Sequence, residues 1–198
     1  MIELIRKFIQ SPEVQSTSGA TNSYAADESR RLMLQCSSEA IDILGDIVVQ
    51  SGIDLSRFRK NPVVLWQHNQ GSPIARALEV SLGPMGLQAL VEFPAPGISS
   101  TADWVYGLIR ADIVRGVSIG FQPVEMEPLD KGNPKKGPQK YLKSQLFEIS
   151  LCSLPANLDG RVTWKFSADG DEQARLKAFE AVARRKREIE VLRLKKPV

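Results

Sequence analysis

Arg115-Gly116-Val117-Ser118-Ile119-Gly120-Phe121 is the stretch on which the fold reading turns. A helix-like segment leads into it, Gly116 releases the helix, and a short β-branched and aromatic run follows. Val117, Ile119 and Phe121 alternate with Ser118 and Gly120, and alternate residues of a strand share a face. The spacing predicts a strand whose apolar side chains enter the core while Ser118 and Gly120 face the other way. A serine beside a residue without a side chain is one that another chain can reach. Taken alone, the stretch also reads as an ordinary half-buried strand with a small-residue face.

The segments before it predict a β-rich core. Leu32–Ser38 reads as a first strand, and Asp42–Val49 as a turn at Gly45-Asp46 entering a second. Ile53–Phe58 reads as a single helical turn stopped by Lys60-Asn61-Pro62. Val63-Val64-Leu65-Trp66-Gln67-His68 is a dense apolar run, read as a buried strand with His68 at its C-terminal end. Pro73–Val80 and Gly86–Phe93 alternate around a turn cluster at Leu82–Gly86 and predict a hairpin. Ser99-Ser100-Thr101 offers N-cap oxygens to a helix reaching Arg115, with Trp104, Val105, Leu108, Ile109 and Ile113 at helical spacing. Beyond the central stretch, Glu127 to about Lys140 is rich in Pro, Gly and Lys and reads as an exposed loop. Leu142–Leu154 reads as a further strand, closed by Pro155-Ala156-Asn157.

The 198 residues are 42% hydrophobic and 25% charged, enough for one domain with a core and two tails. Residues 1–30 form a Ser-, Thr- and Gly-rich arm, 31–168 the domain, and 169–198 a charged helical tail over Asp171–Leu194. A net charge of +3 makes a weak electrostatic case for nucleic acid. The basic Arg184-Arg185-Lys186-Arg187 cluster lacks interleaved aromatics, so it reads as a solvated or protein-docking helix face. Cys36 and Cys152 have neither disulfide-framework nor metal-ligand spacing and read as small buried hydrophobes of an intracellular protein. Asp42 and Asp46 read as turn formers, not as half of a metal site. No apolar run is long enough to span a membrane, and the start Met1–Ile9 lacks the apolar core of a secretory signal. No cofactor or metal is called for.

The chain has one histidine, His68. It, Ser118 and Glu148 each interrupt an otherwise apolar run, and a carboxylate between Phe147 and Ile149 is costly to bury without a partner. Serine needs a base within hydrogen-bond reach to become a nucleophile. Imidazole titrates in the right range, and an acid on its other nitrogen fixes the tautomer and stabilises the imidazolium. Cys36 is an alternative nucleophile, less favoured than a structural cysteine. Trp66 reads as core, or otherwise as a pocket wall. Gly120 reads as a strand glycine admitting a neighbouring backbone, with an oxyanion role as the sharper alternative.

Asn61-Pro62-Val63-Val64-Leu65-Trp66-Gln67-His68, followed by Pro73-Ile74-Ala75-Arg76, resembles the histidine motif of the prohead (capsid maturation) proteases of tailed phages. Gly116–Phe121 resembles their serine motif, and Glu148–Asn157 their closing strand. Asp42 through Gly45-Asp46-Ile47-Val48 fits their early segment. The resemblance covers about Arg31 to Asn157. It implies an α+β fold, with a β-barrel-like antiparallel or mixed sheet core and peripheral helices, related to the herpesvirus assembly proteases. It implies Ser118 as nucleophile and His68 as general base. The herpesvirus enzymes place a second histidine third, which this chain lacks. Glu148 is the choice for that place, with Asp46 and Asp112 as runners-up. Arg161 is either a surface arginine or, by analogy, an orienter of an oxyanion water.

The implied function is a serine endopeptidase acting in the host bacterial cytoplasm, inside the assembling prohead. Its substrates would be the major capsid protein, scaffold segments and itself, and a homodimer or higher oligomer is plausible. A catalytically inactive assembly or scaffold protein of the same fold is the alternative.

Overall fold

The computed structural model describes residues 30–165. The predicted N-terminal arm and the Asp171–Leu194 helix lie outside the described residues. Among the described residues nine strands are formed: β1 (Arg31–Ser37), β2 (Ile47–Val48), β3 (Ile53–Asp54), β4 (Val63–Trp66), β5 (Asn69–Gly83), β6 (Gly86–Glu92), β7 (Gly116–Pro128), β8 (Gln139–Cys152) and β9 (Arg161–Lys165). Two α-helices accompany them there, α1 (Ser56–Lys60) and α2 (Ser100–Arg110), with a short 3-10 turn at Gln50–Gly52. The fold is therefore mostly β, with less helix than an α+β label conveys.

Seven strands close on themselves in the order β8-β4-β5-β6-β1-β9-β7 and back to β8. Pairing is antiparallel except at β8, which takes β4 in parallel on one side. The short β2 and β3 also run parallel to β8, further toward its start. Closure removes free sheet edges around the ring. The narrowest link is between β9 and β7, where Gly116 pairs with Arg161. Backbone bonds from Val117 N–H to Gly160 O (3.0 Å) and from Val162 N–H to Arg115 O (2.8 Å) reinforce it.

Strand alternation divides inside from outside. Leu32 and Leu34 of β1, Val64 of β4, Val117 of β7 and Ile149 and Leu151 of β8 are fully buried in one core. Burying each such side chain stabilises the fold by about 1.5–3 kcal/mol. Helix α2 adds Ala102, Val105, Tyr106 and Ile109 to that core. Ser99 Oγ caps its N-terminus by accepting from Ala102 N–H (3.2 Å). The helix ends at Arg110, short of the expected Arg115, because Asp112 turns into the left-handed region at φ 60°. Ile113 is 70% exposed in consequence, and Trp104 is 55% exposed, so neither belongs to the buried face predicted for the helix. Trp104 instead meets Trp66 edge-on, with ring centroids 5.7 Å apart.

Strands β7 and β8 run past the barrel as a long hairpin. Its exposed loop is Leu129–Pro138, shorter than the sequence suggested because β8 begins at Gln139. The predicted helical turn at Ile53–Phe58 is split between β3 and α1.

Candidate active site

His68 lies beyond its strand, not at the end of it. β4 stops at Trp66, and Gln67-His68 form the two-residue connection to β5, with Trp66 paired to Asn69. Their φ angles are 53° and 57°, the left-handed region that the favoured two-residue hairpin loops require and that Asn-Gly normally fills. Three contacts hold this unfavourable backbone. Gln67 N–H donates to Leu151 O (3.0 Å), Gln67 Nε2 to Ser153 Oγ (2.9 Å), and His68 N–H to Ser150 Oγ (3.1 Å). All three acceptors belong to β8 or the residue after it, so β8 determines where the imidazole stands.

The ring meets an acid from the same strand. His68 Nδ1 is 2.7 Å from Glu148 Oε1. A carboxylate only accepts, so Nδ1 carries the proton and Nε2 is left as the acceptor. The other carboxylate oxygen, Oε2, accepts from Ser150 Oγ at 2.6 Å. The hydrogen bond to Glu148 holds His68 above the usual imidazole range; partial burial opposes it and the Glu148 charge adds to it.

Room for Glu148 comes from the facing strand. Gly120 pairs with Glu148 in the β7–β8 register. A Cβ on Gly120 would collide with Glu148 Oε1 and stand 3.0 Å from Cγ and Cδ. The sequence reading had this glycine admitting a backbone; what it admits is a side chain.

Ser118 pairs directly with Ser150. Residues opposite each other in an antiparallel pair share a face, with Cβ atoms about 4.5–5.5 Å apart. Ser118, Ser150, Glu148 and Gly120 therefore lie on the face away from Val117 and Ile149. Ser118 is 8% exposed. Its hydroxyl makes no hydrogen bond among the described residues, and none joins it to His68. Ser150, by contrast, both donates and accepts. The structure thus brings His68 and Glu148 into contact and sets Ser118 beside them on one face without closing the final link.

Of the other sequence candidates, Cys36, Asp42 and Asp46 line a small cavity together with Ser118, while the His68 ring meets Glu148. Asp46 accepts from Gln139 N–H (2.7 Å) and Tyr141 Oη (3.2 Å), near the far end of β8. Asp112 pairs with Arg115 at 3.0 Å. Asp42 Oδ1 accepts from the Leu44 and Asp46 N–H groups, the work of a turn former. Cys36 is buried in the core, and burial pushes its thiol far up, away from the thiolate a nucleophile needs. Trp66 is partly buried against the core. Arg161 is exposed on β9. Among the described residues no group of three His, Cys, Asp or Glu side chains could hold a metal ion. Among them, too, no helix is long and apolar enough to cross a membrane.

The sequence reading missed Ser150 and misjudged Gly120. The signal for Ser150 was its place two residues after Glu148, on the same face of a strand.

The family profile of the caudovirus prohead serine proteases matches residues 35–174, a span that includes His68, Ser118 and Glu148. The chain belongs to this family. Prohead serine proteases are serine-type peptidases, and two phage proteins show the kinship directly. The capsid polyprotein of Pseudomonas phage PAJU2 is 29% identical over 154 residues, covering 76% of this chain and 22% of that protein. The prohead protease of Escherichia phage T5 is 26% identical over 149 residues, covering 72% of this chain and 66% of that protein. The chain therefore spans about a fifth of the first relative's length and just under two thirds of the second's.

Proposed function

We propose that this prohead protease family member is the maturation endopeptidase of an assembling phage shell, cleaving capsid and scaffold polypeptides and itself. Ser118 is the nucleophile, His68 the general base and Glu148 the acid that orients it. The observation that carries the reading is the 2.7 Å contact between His68 Nδ1 and Glu148 Oε1, on the face that also bears Ser118. Of the two serines there, Ser150 has its hydroxyl engaged by Glu148 and by the His68 backbone, which leaves Ser118 for chemistry.

In the acylation step Ser118 Oγ attacks the scissile carbonyl and its proton passes to His68 Nε2. The imidazolium is stabilised by Glu148, then gives that proton to the departing amine as the C–N bond breaks. Water, deprotonated by the same nitrogen, attacks the acyl-enzyme and frees Ser118. Hydrogen bonds of such bases often tighten only when substrate is bound, which accords with the missing link between His68 and Ser118. The barrel core is the part of the herpesvirus-protease likeness that supports this reading.

The test is mass spectrometry of the chain co-expressed with its capsid protein. Wild type is expected to shorten the capsid protein and itself, and Ser118→Ala to leave both intact. Unchanged processing in the Ser118→Ala variant would overturn the proposal.

A further inference from the structure

We infer that Ser150 is a positioning residue, whose hydroxyl ties the backbone of the His68 loop to the carboxylate of Glu148. This rests on the protease reading above and goes beyond it, because the hydroxyl contacts the His68 backbone and Glu148 and not the reacting Nε2. Two bonds make the tie: Ser150 Oγ accepts from His68 N–H at 3.1 Å and donates to Glu148 Oε2 at 2.6 Å. Glu148 in turn meets His68 Nδ1 at 2.7 Å. The three residues form a closed ring of contacts, in which the imidazole is held at its backbone and at its Nδ1.

Each part of that ring needs outside help, and the serine supplies it. The His68 backbone is in the left-handed region, at φ 57°, unfavourable for a residue with a Cβ. Glu148 lies over Gly120, in the space that a facing side chain would otherwise fill. The slot admits the carboxylate, and the hydroxyl fixes where in the slot it lies. Ser150 itself is fully buried in mid-strand, paired with Ser118 on one side and Leu65 on the other, so it is rigid. The charge acting on the ring is that of Glu148.

The lone histidine makes the test clean, since a single imidazole signal from this chain belongs to His68. Its NMR titration is followed in wild type, Ser150→Ala and Ser150→Thr, alongside the pH profile of Ser118 labelling by a fluorophosphonate. In Ser150→Ala the His68 midpoint is expected to fall toward that of a free imidazole and labelling to slow by about 100-fold, as for a catalytic group displaced by about 1 Å. Ser150→Thr, which keeps the hydroxyl, is expected to restore both. A midpoint that stays or rises in Ser150→Ala overturns the inference, because the Glu148 contact then survives without the hydroxyl. So does a threonine variant that folds and behaves as alanine does. Should Ser150→Ala not fold, Ser150→Cys, a poor donor of similar size, is read by the same criteria. Failure of wild type to label at Ser118 sinks the protease reading instead, while the titration still reports on the positioning.

Discussion

At a pH where the His68 ring carries both protons, it has no lone pair to offer Ser118. Because the Glu148 hydrogen bond raises its pKa, the acid limb of Ser118 acylation is expected above about pH 6.5, the ordinary imidazole value. Glu148→Gln removes the charge and is expected to bring that limb down; the pH dependence of fluorophosphonate labelling reads both. Stability follows the same sign. A raised folded-state pKa favours the protonated form, so this contribution is complete below the unfolded value and disappears as pH climbs through the folded one. Urea melts taken upward from below the ordinary imidazole value should show wild type losing more stability with pH than Glu148→Gln. Ser144 offers a contrasting case, a buried hydroxyl with no hydrogen-bond partner among the described residues. Such a group costs about 1–3 kcal/mol, and Ser144→Ala is expected to leave stability unchanged or improve it by about 1 kcal/mol in chemical melts. Ser118, His68 and Glu148 stand out as candidates in the sequence because each is polar beside an apolar run. The sequence could not reveal why Gly120 lacks a side chain, since that depends on which residue of β8 faces it.

The elements differ in how openly the chain announces them. Strand β7 and the β5–β6 hairpin are legible from strict alternation and a Gly-Pro turn cluster. The β4–β5 connection is not, because Gln67-His68 has none of the residues that usually mark a turn, and contacts with β8 and with Ser153 just after it help hold its backbone there. The helix looked longer than α2 because Ile113 continues its apolar period after the backbone has already turned at Asp112. β9 gave no signal: five residues ending Trp164-Lys165 acquire a strand's geometry by pairing with β1, far away in sequence. The β7–β9 junction supplies a test. A Cβ on Gly160 would collide with the carbonyl oxygen of Val117, whose N–H donates to Gly160 O. Backbone cannot yield as a side chain can, so Gly160→Ala is expected to destabilise by about 1–3 kcal/mol, read as a lowered melting temperature with the barrel opened at its narrowest link.

Across the molecule, β8 is where the fold and the proposed chemistry coincide. Ile149 is fully buried and pairs with Val64 on β4 and Ile119 on β7. Ile149→Ala is expected to cost about 2–5 kcal/mol in denaturant melts and to weaken labelling of Ser118 in step. A sheet-rich core was legible from composition and alternation; the order of strands around the ring was not, since nothing in β4 names β8 as its neighbour. Glu148 follows His68 by 80 positions along the chain. A growing polypeptide that has not yet made β8 holds a hydroxyl and an imidazole with no acid to tune them and no scaffold to bring them together. On the proposed reading, a half-finished molecule cannot digest its neighbours, and the power to cut arrives only when the cylinder shuts.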